Sequence, residues 1–193
     1  MLLDILRQFN WVDIFIIILL LRIGYISAKT GFSTEVFKFL GTIAAIYFSL
    51  HYYTIFADFV SGRSSAEKMP LQFWDFICCL FLAITAYIIF YALRIVFSRF
   101  IKMEAVPNLD RWGGLALGAA RAFLFAGLII FMLVISTIAY LENRVNNSYL
   151  GRRFFKIAPT TYSWLWNKVT SKFMLGEKFN NTILEVEEGF AQE

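Results

Sequence analysis

The chain has 193 residues, 59% of them hydrophobic, and a mean hydropathy of +0.64. A globular average is about 45–50% apolar even with glycine counted, so an ordinary soluble domain is excluded. The net charge of +4 would suit nucleic acid, but the basic residues border apolar runs, the footprint of membrane flanks and not of a DNA-binding face.

The first apolar run, Trp11 to Ala28, follows Arg7 and is interrupted at Arg22. No small-x-small cleavage site precedes Lys29, so the run reads as an uncleaved signal-anchor. Ahead of it, Leu2, Leu3, Leu6 and Phe9 fall on one side of a short amphipathic stub over 1–10. Trp11 marks the interface and Asp13 lies just inside it. After the turn Lys29 to Ser33, Ser33 or Thr34 can cap the next helix, with Glu35 placed early where the helix dipole favours an acid.

The second run is Val36 to Tyr53, with Gly41, Ala44 and Ala45 leaving part of one side small. His51, near its end and the only histidine, reads as an interfacial surface residue and not as a ligand. A polar loop from Asp58 to Pro70 leads to the strongest run, Leu71 to Leu93, which opens on Trp74 and Asp75. Cys78 and Cys79 are adjacent and have no third cysteine to bridge, so they are packing residues. Arg94, Arg99 and Lys102 make a basic exit, and Pro107 marks the turn into the fourth run, Trp112 to Leu141.

That fourth run is unusual. Gly114, Gly118, Ala122 and Ala126 recur every four residues and stack into one small-residue stripe, which lets another helix backbone approach closely. Arg121 lies beside the stripe, about nine residues in from Trp112, or ~13 Å. Arg22 lies similarly deep in the first run. Each arginine either snorkels to the nearer interface or is held in a polar interior by an acid, carbonyls or water. Asp13 and Asp75 enter from one membrane side, and helix N-terminal capping is the expected role of both.

Beyond Leu141 the chain turns polar. Tyr162, Leu165, Trp166, Val169 and Phe173 fall on one helical face with Lys168 and Lys172 off it, a basic amphipathic helix suited to the headgroup plane or to packing on the bundle. Residues 180–193 end acidic and are expected to fray. The single histidine leaves no Ser-His-Asp or Cys-His set, and there is no metal-binding or phosphate-binding motif. The expectation is a protein that is not an enzyme and uses no cofactor or metal.

The block Asn108-x-Asp110-Arg111, Gly114, Gly118, Arg121 resembles the N-x-D-R-x-x-G-x-x-x-G-x-x-R-G signature of the colicin V production protein (CvpA) family. It departs at Ala122, where the family has glycine. Asp13 matches an aspartate that opens the family's first membrane helix, and Lys29-Thr30-Gly31-Phe32 with Glu35 loosely matches its Arg-Gly-Phe turn. Ser148-Tyr149-Leu150 followed by Pro159 is similar to the region after the last helix. The resemblance implies a bacterial inner-membrane protein tied to colicin V production or export and envelope homeostasis. It also makes Asp13, Gly31, Asn108, Asp110, Arg111, Gly114, Gly118 and Arg121 candidate functional residues, to which the intramembrane charges Arg22 and Asp75 are added. Two activities are compatible with it: an oligomeric channel or transport component, or a scaffold that organises partner proteins.

The fold class expected is therefore all-α and polytopic, with four transmembrane helices and a C-terminal interfacial amphipathic helix. Residues 1–141 form the membrane domain and 142–193 the polar segment. The expected partners are the lipid bilayer, anionic headgroups and either further copies or other membrane proteins, with no nucleic acid. Basic residues are nearly balanced between the two sides, Lys29, Lys38, Arg94, Arg99, Lys102 and Arg111 against Arg7, Arg63, Lys68, Arg144, Arg152, Arg153 and Lys156. The tighter packing of the first set at helix ends, and the protease relatives implied by the resemblance, which carry their catalytic domain outside, favour termini in the periplasm.

Overall fold

The computed structural model describes residues 9–63, 70–100, 107–136, 138–174 and 176–192. The fold is all-α. Four helices are long and apolar enough to cross a membrane: α1 Trp11–Thr30, α2 Phe32–Ser61, α3 Leu71–Phe100 and α4 Pro107–Ile135. Shorter helices follow: α5 Ala139–Asn146, α6 Gly151–Phe155, α7 Ile157–Leu165 and α8 Thr182–Gln192. A π-turn at Trp166–Thr170 and the short helix Ser171–Phe173 extend α7. Apart from Phe9 and Asn10, the predicted N-terminal stub lies outside the described residues.

At ~1.5 Å per residue α1 is ~30 Å long, the thickness of the hydrocarbon core, whereas α2, α3 and α4 run to ~43–45 Å. Apolar runs therefore understate α2 and α3 and misplace both ends of α4. The helix of α2 continues past Tyr53 to Ser61, α3 continues through Arg94, and α4 starts at Pro107, not Trp112. α4 also stops at Ile135, short of the predicted Leu141, and Tyr140 and Leu141 belong to α5.

A single residue, Gly31, separates α1 from α2, with φ of 78°. That left-handed conformation is one that side chains with a Cβ disfavour. From this turn the two helices diverge, and α4 fills the space between them, packing along both; α3 lies along the far side of α2. The order across the layer is α1, α4, α2, α3, which leaves α1 and α3 as edges with broad apolar outer faces.

The C-terminal segment packs back onto the ends of α2 and α4. Tyr162 and Trp166 of the predicted amphipathic face are buried, and Leu165 is partly so, because they cover α2 and α4. Val169 and Phe173 on the same face leave the protein exposed. Gly127 of α4 gives the room for this, since a methyl there would meet the Ile157 side chain at 2.7 Å. The expected frayed tail is instead α8, whose Ile183 and Phe190 are buried, with the Phe190 ring tilted against Phe155 at a centroid distance of 4.2 Å.

Candidate functional site

Gly31, Asp110, Gly114, Gly118 and Arg121 of the family-like residues meet at one place, the joint where α4 enters the fork between α1 and α2. The first N–H groups of a helix lack intrahelical partners, and α2 begins without a cap from its own side chains. Asp110 supplies one from α4: the Phe32 N–H donates to its Oδ1 at 2.7 Å. The expected cap from Ser33 or Thr34 is thus replaced, because the N-cap position falls at Gly31, two or three residues earlier, and an acid from another helix reaches the N-terminus of α2. A Cβ at position 31 would strike the Asp110 carboxylate, so both φ and space require glycine there.

Deeper in the fork the stripe on α4 packs within the chain. A methyl at Gly114 would lie 3.0 Å from the Gly31 carbonyl carbon and 3.2 Å from the Phe32 nitrogen, and one at Gly118 would run into the Ser27 side chain. Ala122 and Ala126 continue the stripe, both buried.

Arg121 reaches from α4 to Glu35 on α2, with Nη2 at 3.0 Å from Oε2. Glu35 has no exposed surface and Arg121 is 8% exposed, so this is a buried ion pair and not a snorkelling arginine. Ser27 of α1 touches both: its hydroxyl accepts from Arg121 at 3.3 Å, and its single proton is shared between Glu35 Oε2 at 3.1 Å and the Ile23 carbonyl at 2.8 Å. Thr30 donates to Glu35 Oε1 at 2.6 Å, and Lys38 pairs with the same oxygen at 2.7 Å. Glu35 therefore binds three helices together, far more than the dipole effect expected of it. The Arg121 Nε–H finds no acceptor among the described residues, so the guanidinium is held from one side.

Asp13 does cap α1. Its carboxylate accepts from the Asn10 N–H at 2.8 Å while the Asn10 side chain accepts from Val12, a reciprocal capping box. It also accepts from the Ser148 hydroxyl at 2.8 Å and the Leu150 N–H at 2.7 Å, which ties the start of α1 to the turn before α6. Asp75 is not a cap: it lies beyond the first turn of α3, partly buried beside Tyr53 and Asp58 of α2. The two aspartates serve separate elements. Arg111 is exposed. Asn108 stands in the first turn of α4, and its side chain lies outside the described residues. Arg22 is exposed on the outer face of α1.

His51 departs most from expectation. It is buried, stacked between Tyr47 and Trp166, with ring centroids 5.2 Å from each. Its Nδ1 lies 2.8 Å from the Tyr162 hydroxyl and its Nε2 2.7 Å from Glu177 Oε2. Tyr162 also accepts from the Asn180 N–H at 3.1 Å, and the ionised Glu177 carboxylate, which can only accept, takes the Nε2–H. Tyr52 donates to the other Glu177 oxygen at 2.7 Å. No local sequence signal links these residues; an acid and a tyrosine far down the chain latch the C-terminal segment to α2.

This latch should respond to acid. The Tyr52 hydrogen bond, and then that of His51, hold the Glu177 carboxyl below its ordinary value of 4.5 despite partial desolvation. A depressed folded-state value means stability that is present above 4.5 and lost as pH falls through the lower folded value. Trp166 fluorescence of the full chain in nanodiscs should therefore change below about pH 4.5 as the segment loosens. Glu177→Gln should remove that acid transition, and an unchanged transition in the variant would contradict the assignment.

The family model described as colicin V production protein matches residues 12–159, a stretch that holds the α1–α2–α4 joint and the Asp13 contacts. No curated protein and no solved structure matches the chain.

Proposed function

Because this chain belongs to the colicin V production protein family, we propose that it is one subunit of an oligomeric channel or transport component in a bacterial inner membrane. On this reading it takes part in toxin production or export and envelope homeostasis by moving a solute, without enzymatic chemistry. The observation that carries the reading is Arg22. It lies eleven residues from Trp11 and eight from Thr30, ~16 Å and ~12 Å from the two ends of a helix that just spans the core. It sits on the outer face of α1 with Ile18, Leu21 and Tyr25, all exposed, and no described residue pairs with it. Facing hydrocarbon at that depth, an arginine costs about 2.5–3.5 kcal/mol on insertion scales. A wet path between subunits removes the cost and gives the charge a use. The other intramembrane arginine, Arg121, is consumed by Glu35 and has no such role.

On this reading the Gly31–Asp110 face is cytoplasmic, with Lys29, Lys38, Arg94 and Arg111 close to the helix ends there, and both termini are periplasmic. At the opposite face, exposed Trp164 and Phe173 with Lys168 and Lys172 are suited to meeting anionic headgroups.

The scaffold reading draws on the same edges, since the apolar outer faces of α1 and α3 could receive other membrane proteins. Leu21→Cys, beside Arg22, separates the two when cross-linked in native membranes. The transport reading expects homo-oligomeric adducts, and solute flux in proteoliposomes that falls at least severalfold in Arg22→Leu. Adducts with other proteins alone, and no flux from the wild type, would support the scaffold and overturn the channel.

A further inference from the structure

We propose that the groove between α2 and α3 at the Gly31–Asp110 face is a binding site for the phosphate headgroup of an anionic phospholipid. Phe37, Lys38, Tyr87, Phe90, Tyr91 and Arg94 line it. Lys38 comes six residues after Phe32 and Arg94 six before Phe100, so both cations stand ~9 Å from the helix ends that meet here. With α1 spanning the core and ending at Thr30, the Gly31 turn marks the hydrocarbon boundary, and Lys38 starts ~9 Å below it, a depth from which a lysine side chain snorkels toward the headgroups. The two cations stand on opposite walls of one groove.

Charge points the same way. Among the described residues the groove walls carry two cations, Lys38 and Arg94, and no acid; the nearby Glu35 pairs with Arg121 and Lys38, and Asp110 is taken up by the Phe32 N–H. Of its three possible donors Lys38 gives one to Glu35 at 2.7 Å and turns another to the Thr30 hydroxyl at 3.5 Å, and its side chain is still partly exposed, so one N–H can turn to a phosphate. The Arg94 guanidinium lies over the Tyr91 ring at 5.0 Å, which orients its planar fork. Phe37 and Phe97 close the cytoplasmic end with rings 5.5 Å apart. Toward the membrane centre the exposed Ile88 and Ile84 of α3 continue the wall and are suited to an acyl chain. A soluble phosphate would use the cations and leave that apolar wall bare, so the amphiphile is the better match. Because Lys38 also holds Glu35, headgroup occupancy would bear on the α1–α2–α4 joint.

The test is native mass spectrometry of the full chain with phosphatidylglycerol, phosphatidylcholine or inorganic phosphate. Phosphatidylglycerol should bind in preference to phosphatidylcholine. Its affinity should fall roughly fivefold in Arg94→Gln and again in Arg94→Gln/Lys38→Gln, the loss expected for each basic residue removed near a membrane surface. Arg94→Lys should keep most of the affinity, and Arg153→Gln, at the other face, should change nothing. Arg94→Gln keeps the test independent of the joint should Lys38→Gln impair folding. The proposal is overturned by equal binding of the two lipids, by an equal loss in Arg153→Gln, or by displacement of phosphatidylglycerol by millimolar inorganic phosphate.

Discussion

Glu35→Ala should destabilise the protein by about 3–5 kcal/mol, the loss expected when one partner of a buried ion pair is removed. The variant would leave the Arg121 guanidinium in a dry helix joint with only the Ser27 hydroxyl near it. Lys38→Ala should do much less, because Lys38 is 15% exposed and Glu35 would keep Arg121, Ser27 and Thr30. Replacing both charges, as in Glu35→Met/Arg121→Met, should recover most of the loss, since an apolar pair of similar volume needs no partner. Equilibrium unfolding by mixed-detergent titration reads all three. Near wild-type stability in Glu35→Ala would mean that Arg121 finds water or another acid.

Gly118→Leu should be comparably severe, and here even alanine is harmful. The Cβ itself would collide with Ser27, whose Cβ and hydroxyl sit directly opposite in the fork. A short side chain beside its own backbone cannot swing away, so α1 and α4 must separate. Overpacking of this kind costs about 1–3 kcal/mol for one methyl and more for leucine. The separation would also pull Ser27 from Glu35 and Arg121, so loss of packing and loss of the polar joint come together. Ser27→Gly should partly rescue Gly118→Ala by returning the space, though not the hydrogen bonds. If Gly118→Ala alone kept wild-type unfolding, the stripe would not be in contact with α1.

Much of this architecture was legible because lipid leaves few options: an apolar run of about 20 residues must satisfy its backbone internally and forms a helix. The same reasoning blurred the ends. Asp58 and Ser61 in α2, and Arg94 in α3, lie in helix that overruns the hydrocarbon, where hydropathy gives no signal. The four-residue spacing of Gly114, Gly118, Ala122 and Ala126 announced a close contact, but such a stripe serves equally within a chain or between chains. What settles it is Gly31, which splays α1 from α2 and admits α4. The partner of Arg121 was hidden for a different reason. Asp13, Glu35 and Asp75 were all available acids, and each had a local explanation as a helix-start residue. That explanation is right for Asp13, incomplete for Glu35, and fails for Asp75, which lies past the first turn. His51 looked solitary because Tyr162 and Glu177 lie 111 and 126 residues away.

The family-like block is thus read as a joint: Asp110 caps α2 across the Gly31 turn, two glycines admit α1, and Arg121 locks onto Glu35. A double-mutant cycle tests that claim most directly, with Glu35→Gln, Arg121→Met and the pair compared by unfolding in one detergent system. The joint predicts a coupling of roughly 2–3 kcal/mol, at the high end for residues in contact. Effects that add to within about 0.5 kcal/mol, as for distant sites, would contradict it.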